Sequence, residues 1–291
     1  MILVTGASGN VGKMVLQEVA KSGAKHRAMY RSADEAAKAR SGTETVIADF
    51  AKPETLKAAL RGVDSVCVYL VCSPIPELVQ LESNMIDACV AGGVKHVVLN
   101  SAMGAGDYDK SFPSWHRKVE NKLKGTRLSW TILRPNSFQQ NVVAFYAPTI
   151  RTQGVFYSSM RDAKNSFLDL RDIAAVAAKA LSGGEHGGRT YELNGPEAIS
   201  CTQLAAKISK ATGREVKYVD IPMEAQKKAM LEQGMPEWLV LALLELQQYY
   251  LSGKGGETDG LLQELLGRAP ITMEQFLAEN IREFRAEAAT A

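Results

Sequence analysis

Seven residues near the start of the chain constrain its fold more than any other segment. They read Gly6-Ala7-Ser8-Gly9-Asn10-Val11-Gly12 and directly follow a short apolar run, Ile2–Val4. Beyond them, apolar residues recur at helical spacing over residues 11–22. A strand that turns through glycines into a helix is the first unit of a parallel α/β sheet. The segment therefore predicts a strand-turn-helix unit at the N-terminus.

The spacing of the glycines, G-x-x-G-x-x-G, also indicates an anion site at this turn. The first backbone N–H groups of a helix have no partner inside the helix, and the helix dipole adds positive charge there. Glycines let a dinucleotide pyrophosphate approach these N–H groups closely. A glycine-rich turn without a ligand is the alternative. We expect the cofactor contacts to come from Gly6, Ser8, Gly9, Asn10, Val11 and Gly12.

The end of the second strand predicts which dinucleotide binds. In this class of fold an acidic residue about 20 positions after the loop takes the ribose 2′-hydroxyl of NADH. Here Arg31 and Ser32 stand at that place, 31 − 12 = 19 positions after the last loop glycine. A guanidinium and a hydroxyl suit a 2′-phosphate, so we predict NADPH as the cofactor. A solvated surface cation is the alternative for Arg31.

Asp49 and Phe50 follow the third predicted strand, where the adenine lies in this class of fold. A carboxylate there can accept a hydrogen bond from the adenine amino group. Asp49 also precedes a helix that starts near Pro53, where it would act as an N-cap. Both interpretations remain open, and both residues are kept as candidate cofactor contacts.

Short apolar runs alternate with segments of helical period as far as about residue 180. This order predicts an α/β fold, a Rossmann-type doubly wound parallel sheet, because right-handed crossovers leave few other topologies. The pattern changes after Gly183-Gly184. We therefore predict a dinucleotide-binding domain over 1–183 and a smaller mixed α/β cap over 184–291, with parts of 145–170 joining the cap. A short strand at 189–193 and a final helix over 273–286 are placed in this cap.

Composition excludes several classes of function. A net charge of +2 over 291 residues is too small to predict a nucleic-acid or membrane partner. The N-terminal residues lack the pattern of a signal peptide, and no apolar run has the length of a membrane span. Four cysteines without C-x-x-C spacing indicate free buried thiols, a cytoplasmic location and no metal site. We expect a monomer or a homodimer with a small-molecule partner.

Five segments together carry a resemblance to a known family. They are T-G-A-S-G-N-V-G at 5–12, R-S at 31–32, A-D-F at 48–50, L-R-P-N-S-F at 133–138 and F-L-D-L-R-D-I-A at 167–174. The combination resembles the NmrA-like group of atypical short-chain dehydrogenases/reductases. The resemblance implies an NADPH-dependent reductase of a planar, electron-poor aromatic acceptor: an azo dye, a quinone or a triphenylmethane dye. The resemblance also implies an alternative, a non-catalytic NADP-binding redox sensor.

The candidate residues for proton transfer depart from the ordinary short-chain pattern. Ordinary members use a serine and a Tyr-x-x-x-Lys pair, whose tyrosine protonates a carbonyl oxygen. Ser101 matches the serine position, but the following helix offers His116 and Glu120 where the tyrosine and lysine would stand. Their i, i+4 spacing puts both on one helix face. We name all three as candidate catalytic residues; a His116 that Glu120 merely orients is the alternative.

The resemblance also assigns the nicotinamide end of the site. It implies that Pro135 and Asn136 hold the nicotinamide, and we add Leu70, Ser73 and Ser101 as contacts at neighbouring strand ends. The expected substrate pocket is broad, apolar and aromatic, which suits a planar acceptor. Core packing is the alternative for each of its members, because such side chains on helices are usually buried. The pocket candidates are Met103, Trp115, Phe138, Tyr146, Met235 and Trp238.

Overall fold

The computed structural model describes residues 1–61, 67–71 and 75–285. Its strands are β1 (Ile2–Val4), β2 (His26–Tyr30), β3 (Glu44–Ile47), β4 (Cys67–Leu70), β5 (His96–Asn100), β6 (Ser129–Pro135), β7 (Val155–Ser158), β8 (Lys164–Asn165), β9 (Arg189–Leu193), β10 (Ile199–Ser200) and β11 (Lys217–Asp220). Its helices are α1 (Asn10–Lys21), α2 (Ala33–Ala36), α3 (Pro53–Ala59), α4 (Leu78–Ala91), α5 (Ser111–Lys124), α6 (Gln139–Gln153), α7 (Leu170–Leu181), α8 (Cys201–Thr212), α9 (Met223–Glu232), α10 (Glu237–Leu251), α11 (Leu261–Leu266) and α12 (Met273–Glu279), followed by a 3₁₀ helix at Ile281–Phe284. In the part of the chain that is described, no helix combines the length and apolar character that crossing a membrane requires.

Seven strands form the main sheet, in the order β3-β2-β1-β4-β5-β6-β9. All pairings from β3 across to β6 are parallel. The chain first moves outward from β1 to β3 and then resumes on the other side of β1 with β4. This reversal is the double winding that the sequence predicts, so the Rossmann-type α/β fold is confirmed. In such sheets ligands bind beyond the carboxyl ends of the strands where the order reverses.

Apolar side chains fix the central strands between two layers of helices. Leu3, Leu99 and Ile132 are at most 1% exposed and share one core cluster with Met85 and Ile86 of α4. Strands buried on both faces are expected for a parallel sheet that helices cover on both sides. Each such side chain contributes about 1.5–3 kcal/mol on burial. The strand ends, and the loops that follow them, are therefore held on a rigid core.

The chain divides into two compact units. The N-terminal unit contains Met1–Pro135 and Ile173–Glu192, and the C-terminal unit contains Asn136–Asp172 and the described residues from Leu193 on. This division differs from the predicted boundary after residue 183 with parts of 145–170 joining the cap. The whole of Asn136–Asp172 belongs to the C-terminal unit, and Ile173–Glu192 returns to the N-terminal unit, so the chain crosses between the units three times. The strand predicted at 189–193 is β9, which lies beside β6 in the main sheet. Its placement in the cap was wrong, since a five-residue strand carries no local signal of its partner.

The C-terminal unit combines two short ladders with helices. Strands β7 and β11 pair in parallel, and β8 and β10 pair antiparallel. Helix α8 begins with a reciprocal capping box between Ser200 and Gln203. The final helix is shorter than predicted: α12 ends before Asn280, whose side-chain amide donates to the Phe276 carbonyl oxygen at 2.8 Å. That bond satisfies a carbonyl of the last helical turn and helps to end the helix.

Candidate functional site

The glycine-rich loop joins the carboxyl end of β1 to α1. Gly6 has a positive φ of 59°, and a Cβ at this position would lie 2.8 Å from Val71 Cγ1. Gly12 is more restricted, because its Cβ would lie 2.2 Å from the Gly6 carbonyl oxygen. Both contacts are shorter than real side chains tolerate. The packing of the loop on itself and on the end of β4 therefore requires glycine at these two positions.

The start of α1 has the properties of an anion site. Gly9 is the N-cap residue and contributes no side chain, and the first helical turn contains no acidic residue. The first helical hydrogen bond runs from the Lys13 N–H to the Gly9 carbonyl oxygen at 3.0 Å. The preceding N–H groups, those of Asn10, Val11 and Gly12, therefore have no acceptor within the helix. A glycine N-cap without a side chain, three N–H groups without an acceptor in the helix and the positive end of the helix dipole together suit the binding of a pyrophosphate.

Three predicted cofactor residues contact Glu35, a residue of α2 that lies close to the end of β2. The Glu35 carboxylate accepts a hydrogen bond from Ser8 Oγ at 3.1 Å and from the Arg31 backbone N–H at 3.2 Å. Ser32 is the N-cap of α2, and its Oγ accepts from the Glu35 N–H at 3.2 Å. Arg31 and Ser32 are exposed. Ser8 and the backbone of Arg31 thus bind the Glu35 carboxylate, and Ser32 binds the Glu35 backbone N–H.

The turn after β3 gives a partial answer about Asp49. Its Oδ1 accepts from the Ala51 N–H at 2.9 Å, whereas the N-cap of α3 is Lys52. The N-cap interpretation is therefore wrong, because the Asp49 carboxylate binds the Ala51 N–H in the turn before α3, and Lys52 is the N-cap. Phe50 is buried, and its carbonyl oxygen accepts from Asn84 Nδ2 at 2.8 Å. A role of Asp49 towards the adenine stays a prediction.

The predicted contacts at the end of β4 have different outcomes. Leu70 is completely buried in the core of the N-terminal unit, so its side chain supports the sheet and is not available to a cofactor. Ser73 lies outside the described residues. The hydroxyl of Thr5 donates to the Val71 carbonyl oxygen at 3.2 Å and accepts from the Val71 N–H at 3.0 Å. These bonds hold the ends of β1 and β4 together beside the glycine loop.

The candidate catalytic residues include one buried carboxylate with several partners. Glu120 is 1% exposed and accepts from Ser101 Oγ at 2.6 Å. It also accepts two bonds from Arg134, from Nε at 2.8 Å and from Nη2 at 2.6 Å. Burial would raise the pKa of Glu120, but the hydrogen bonds from Arg134 and Ser101 lower it below its ordinary value. Glu120 is therefore a charged anchor for Ser101 and Arg134.

His116 lies on the same helix in a different environment. It is 6% exposed, and its Nδ1 has no hydrogen-bond partner among the described residues. Burial lowers the pKa of His116 to about 4, although the charge of Glu120 acts in the opposite direction. The imidazole is therefore neutral at pH 7. The alternative in which His116 is paired to Glu120, which orients the ring, is wrong, because the Glu120 carboxylate bonds to Ser101, Arg134 and Lys124 and, among the described residues, forms no hydrogen bond with His116.

Two predicted pocket residues pack inside the N-terminal unit. The Met103 N–H donates to the Pro135 carbonyl oxygen at 3.0 Å, and both residues are buried. Trp115 meets Phe112 edge to face, with ring centroids 5.3 Å apart, and packs against the main core. For Met103 the core-packing alternative therefore holds, whereas Trp115 is half-buried and its predicted pocket role stays a prediction.

In the C-terminal unit, Asn136 and Phe138 shape the start of α6. The Asn136 side-chain amide donates to Asn194 Oδ1 at 3.1 Å and to the Gly255 carbonyl oxygen at 2.9 Å. Phe138 is the half-buried N-cap residue of α6 and forms a β-bridge with Leu168. The Asn136 amide is thus already engaged by protein groups, and its predicted role towards nicotinamide stays a prediction.

A cavity of about 420 Å³ lies within the C-terminal unit. Two of the pocket candidates, Tyr146 and Met235, line this cavity, whereas Trp238 does not and is 37% exposed on α10. Every lining residue is described, and none is Asp, Glu, Lys, Arg or His. Its volume and lining suit an uncharged molecule of aromatic size. Among the largest lining side chains are Phe145, Tyr146, Phe167, Met230, Met235 and Tyr250.

Two residues that shape these sites were missed by the sequence analysis. Glu35 follows Ser32 at the spacing of a capping box, S-x-x-E, which is a readable signal. Its carboxylate nevertheless accepts hydrogen bonds from Ser8 and from the Arg31 N–H, and no local sequence pattern indicates the contact with Ser8. Arg134 stands in the L-R-P-N-S-F segment, in a strand that is otherwise mostly apolar. A charged residue there signals a buried partner, which the structure identifies as Glu120.

Comparisons with known proteins find relatives over most of the chain. The NAD(P)H azoreductase of Xenophilus azovorans is 38% identical over 251 residues, covering 84% of this chain and 86% of that protein. The (4-alkanoyl-5-oxo-2,5-dihydrofuran-3-yl)methyl phosphate reductase of Streptomyces griseus is 32% identical over 289 residues, covering 99% and 100%. The NADPH-dependent quinone oxidoreductase of Escherichia coli, solved with NADPH, superposes with a TM-score of 0.89 at 28% identity, covering 97% and 100%.

The family itself is established over almost the whole chain. The sequence model of the NmrA-like family matches residues 1–285. This span includes the glycine loop, Arg31 and the whole described part of the C-terminal unit. The resemblance that five short segments carried is therefore confirmed: the chain is a member of the NmrA-like family.

Proposed function

We propose that this protein is an NADPH-dependent reductase of flat, electron-poor and uncharged acceptors, with quinones and azo compounds as the leading classes. One observation carries the proposal: the bare helix start at Gly9 and the cation of Arg31 lie at neighbouring strand ends of a Rossmann sheet. The first binds a pyrophosphate and the second a 2′-phosphate. The azo- and quinone-reducing relatives support the same reaction class.

Different residues of the N-terminal unit bind different parts of the cofactor. Backbone N–H groups of Asn10, Val11 and Gly12 bind the pyrophosphate, and Arg31 with Ser32 binds the 2′-phosphate. When bound, NADPH supplies a hydride. The loop glycines exclude side chains that would keep the cofactor at a distance.

The two buried groups on α5, Glu120 and His116, are not the proton source of the reaction, and Glu120 instead holds neighbouring side chains in place. Glu120 is charged and fixes Ser101 and Arg134, and His116 is neutral with a pKa of about 4. A residue with that pKa carries almost no proton to give at pH 7. Quinones and azo compounds accept hydride to give stabilised products that water can protonate. Glu120 is therefore a positioning residue.

The cavity of the C-terminal unit selects the acceptor. Its lining, which is entirely described, is aromatic, aliphatic or neutral-polar. A permanently charged dye would lose its hydration there without gaining an ion-pair partner. Neutral acceptors are therefore reduced faster than sulfonated azo dyes or cationic triphenylmethane dyes. The buried thiols of Cys89 and Cys201 fit a reducing compartment, so we place the enzyme in the cytoplasm.

The test follows NADPH oxidation at its near-ultraviolet absorbance band with a panel of acceptors. The panel pairs a neutral naphthoquinone with its sulfonate and a neutral azo dye with its sulfonate, and it adds a cationic triphenylmethane dye. We expect turnover with the neutral members and slower turnover with their charged partners. Tight NADPH binding without any turnover would refute the reductase and indicate the NADP-sensing alternative.

A further inference from the structure

The Glu35 carboxylate occupies an unusual position for a chain that binds NADPH. Its Oε2 accepts from the Arg31 backbone N–H at 3.2 Å, at the end of β2. In Rossmann sheets this end is where a carboxylate binds the ribose 2′-hydroxyl of NADH. Position 31 lacks that acid, yet Glu35 delivers one to the same place from α2.

The second contact of Glu35 places it beside the phosphate loop. Its Oε1 accepts from Ser8 Oγ at 3.1 Å, and Ser8 belongs to the loop that begins at Gly6. The carboxylate therefore uses two donors, one from the loop and one from the strand end, that would otherwise be available to a cofactor phosphate. Burial and the charge of Glu35 together raise the pKa of Tyr30, the last residue of β2.

We infer that Glu35 is a cofactor-selectivity residue, which accepts a hydrogen bond from the ribose 2′-hydroxyl of NADH and competes with the 2′-phosphate of NADPH. The inference rests on the proposed cofactor site. A phosphate and a carboxylate repel each other when they share one set of donors, so NADPH binds only after the Glu35 side chain moves away. NADH lets the carboxylate stay. The strand end thus carries a cation for NADPH in Arg31 and an acid for NADH in Glu35.

The experiment compares Glu35→Gln with Asp34→Asn. Both substitutions remove one negative charge from α2 and keep the side-chain size, but only Glu35 makes the two contacts. Dissociation constants for NADPH and NADH are measured by the fluorescence of the reduced nicotinamide. In Glu35→Gln we expect the NADPH dissociation constant to fall roughly threefold to tenfold, while that of NADH rises or stays unchanged. Asp34→Asn should shift the ratio of the two constants by less than about twofold.

Competition with adenosine 2′,5′-bisphosphate and with 5′-AMP gives a second readout that does not involve nicotinamide. Only the bisphosphate should bind more tightly to Glu35→Gln. An unchanged NADPH to NADH ratio in Glu35→Gln, or an equal change in Asp34→Asn, overturns the inference. Failure of the proposed cofactor site has a different signature, because the unmodified protein would then bind neither nucleotide.

Discussion

Substituting Gly12 by alanine tests whether the cofactor loop is built as the structure describes. The added Cβ would lie 2.2 Å from the Gly6 carbonyl oxygen and 2.8 Å from the Thr5 carbonyl oxygen. Carbon atoms in ordinary contact are about 3.5–4.0 Å from their neighbours, so the loop would have to open by about 1 Å. The opposing atoms are backbone atoms, and no change of rotamer can relieve the contact.

The expected loss of stability follows from two opposing effects. Forcing extra volume into a packed site costs about 1–3 kcal/mol, and the rigid backbone places Gly12→Ala at the upper end. Alanine within a helix returns about 1 kcal/mol relative to glycine. The net loss is about 2 kcal/mol, which corresponds to a decrease in Tm of about 4–8 °C for a unit of this size.

The assay is thermal unfolding of the cofactor-free protein by circular dichroism, with Gly9→Ala as the matched control. At Gly9 the added Cβ would meet only the Gly6 carbonyl oxygen, at 3.3 Å, and φ is −79°. We expect the control to change the free energy of unfolding by less than about 1 kcal/mol. A Gly12→Ala protein as stable as the unmodified one would show that the loop geometry is wrong.

Three further substitutions test the buried groups and the cavity. Glu120→Gln should lower the free energy of unfolding, measured by urea titration, by about 3 kcal/mol, because it leaves part of the Arg134 charge uncompensated. The control Asp87→Asn, which removes an exposed carboxylate, should lower the free energy of unfolding by less than about 1 kcal/mol in the same titration. The unfolded chain binds a proton at His116 near pH 6.5 but the folded chain only near pH 4, so this residue should lower stability by about 2 kcal/mol between pH 7 and pH 5. Urea unfolding at the two pH values should show a smaller loss in His116→Gln, and an equal loss would contradict its burial as a neutral group. Ala229→Trp should fill the cavity and raise the KM for a quinone several-fold, with the affinity for NADPH unchanged. The control Lys228→Trp changes the neighbouring residue of α9, which does not line the cavity, and should leave the KM unaltered. Equal KM values in the two variants would exclude the cavity as the acceptor site.

Local patterns predicted the parts of this protein that depend on neighbouring residues. The glycine loop follows β1 at once and leads directly into α1, as the strand-turn-helix pattern predicted. These elements are determined by turn chemistry and by periodicity, which act over a few positions. The double winding of the sheet followed from the alternation of strands and helices.

Long-range placement could not be predicted in the same way. The contact between Glu35 and Ser8 joins residues 27 positions apart, and that between Arg134 and Glu120 joins residues 14 apart. Both depend on how α2 and α5 pack, and not on any local motif. Met103 and Trp115 were predicted as pocket residues because large apolar side chains suit both a core and a cavity. Only the packed structure distinguishes the two.

The most direct test of the account is the cofactor preference of Arg31→Asp. Dissociation constants for NADPH and NADH are compared with those of Arg40→Asp, which makes the same change of charge at another exposed arginine. The account predicts that Arg31→Asp weakens NADPH by at least about tenfold and changes NADH by less than about threefold, because charge-assisted hydrogen bonds contribute about 1.5–3 kcal/mol. Equal weakening of the two nucleotides, or the same result in Arg40→Asp, would contradict the assignment of Arg31 to the 2′-phosphate.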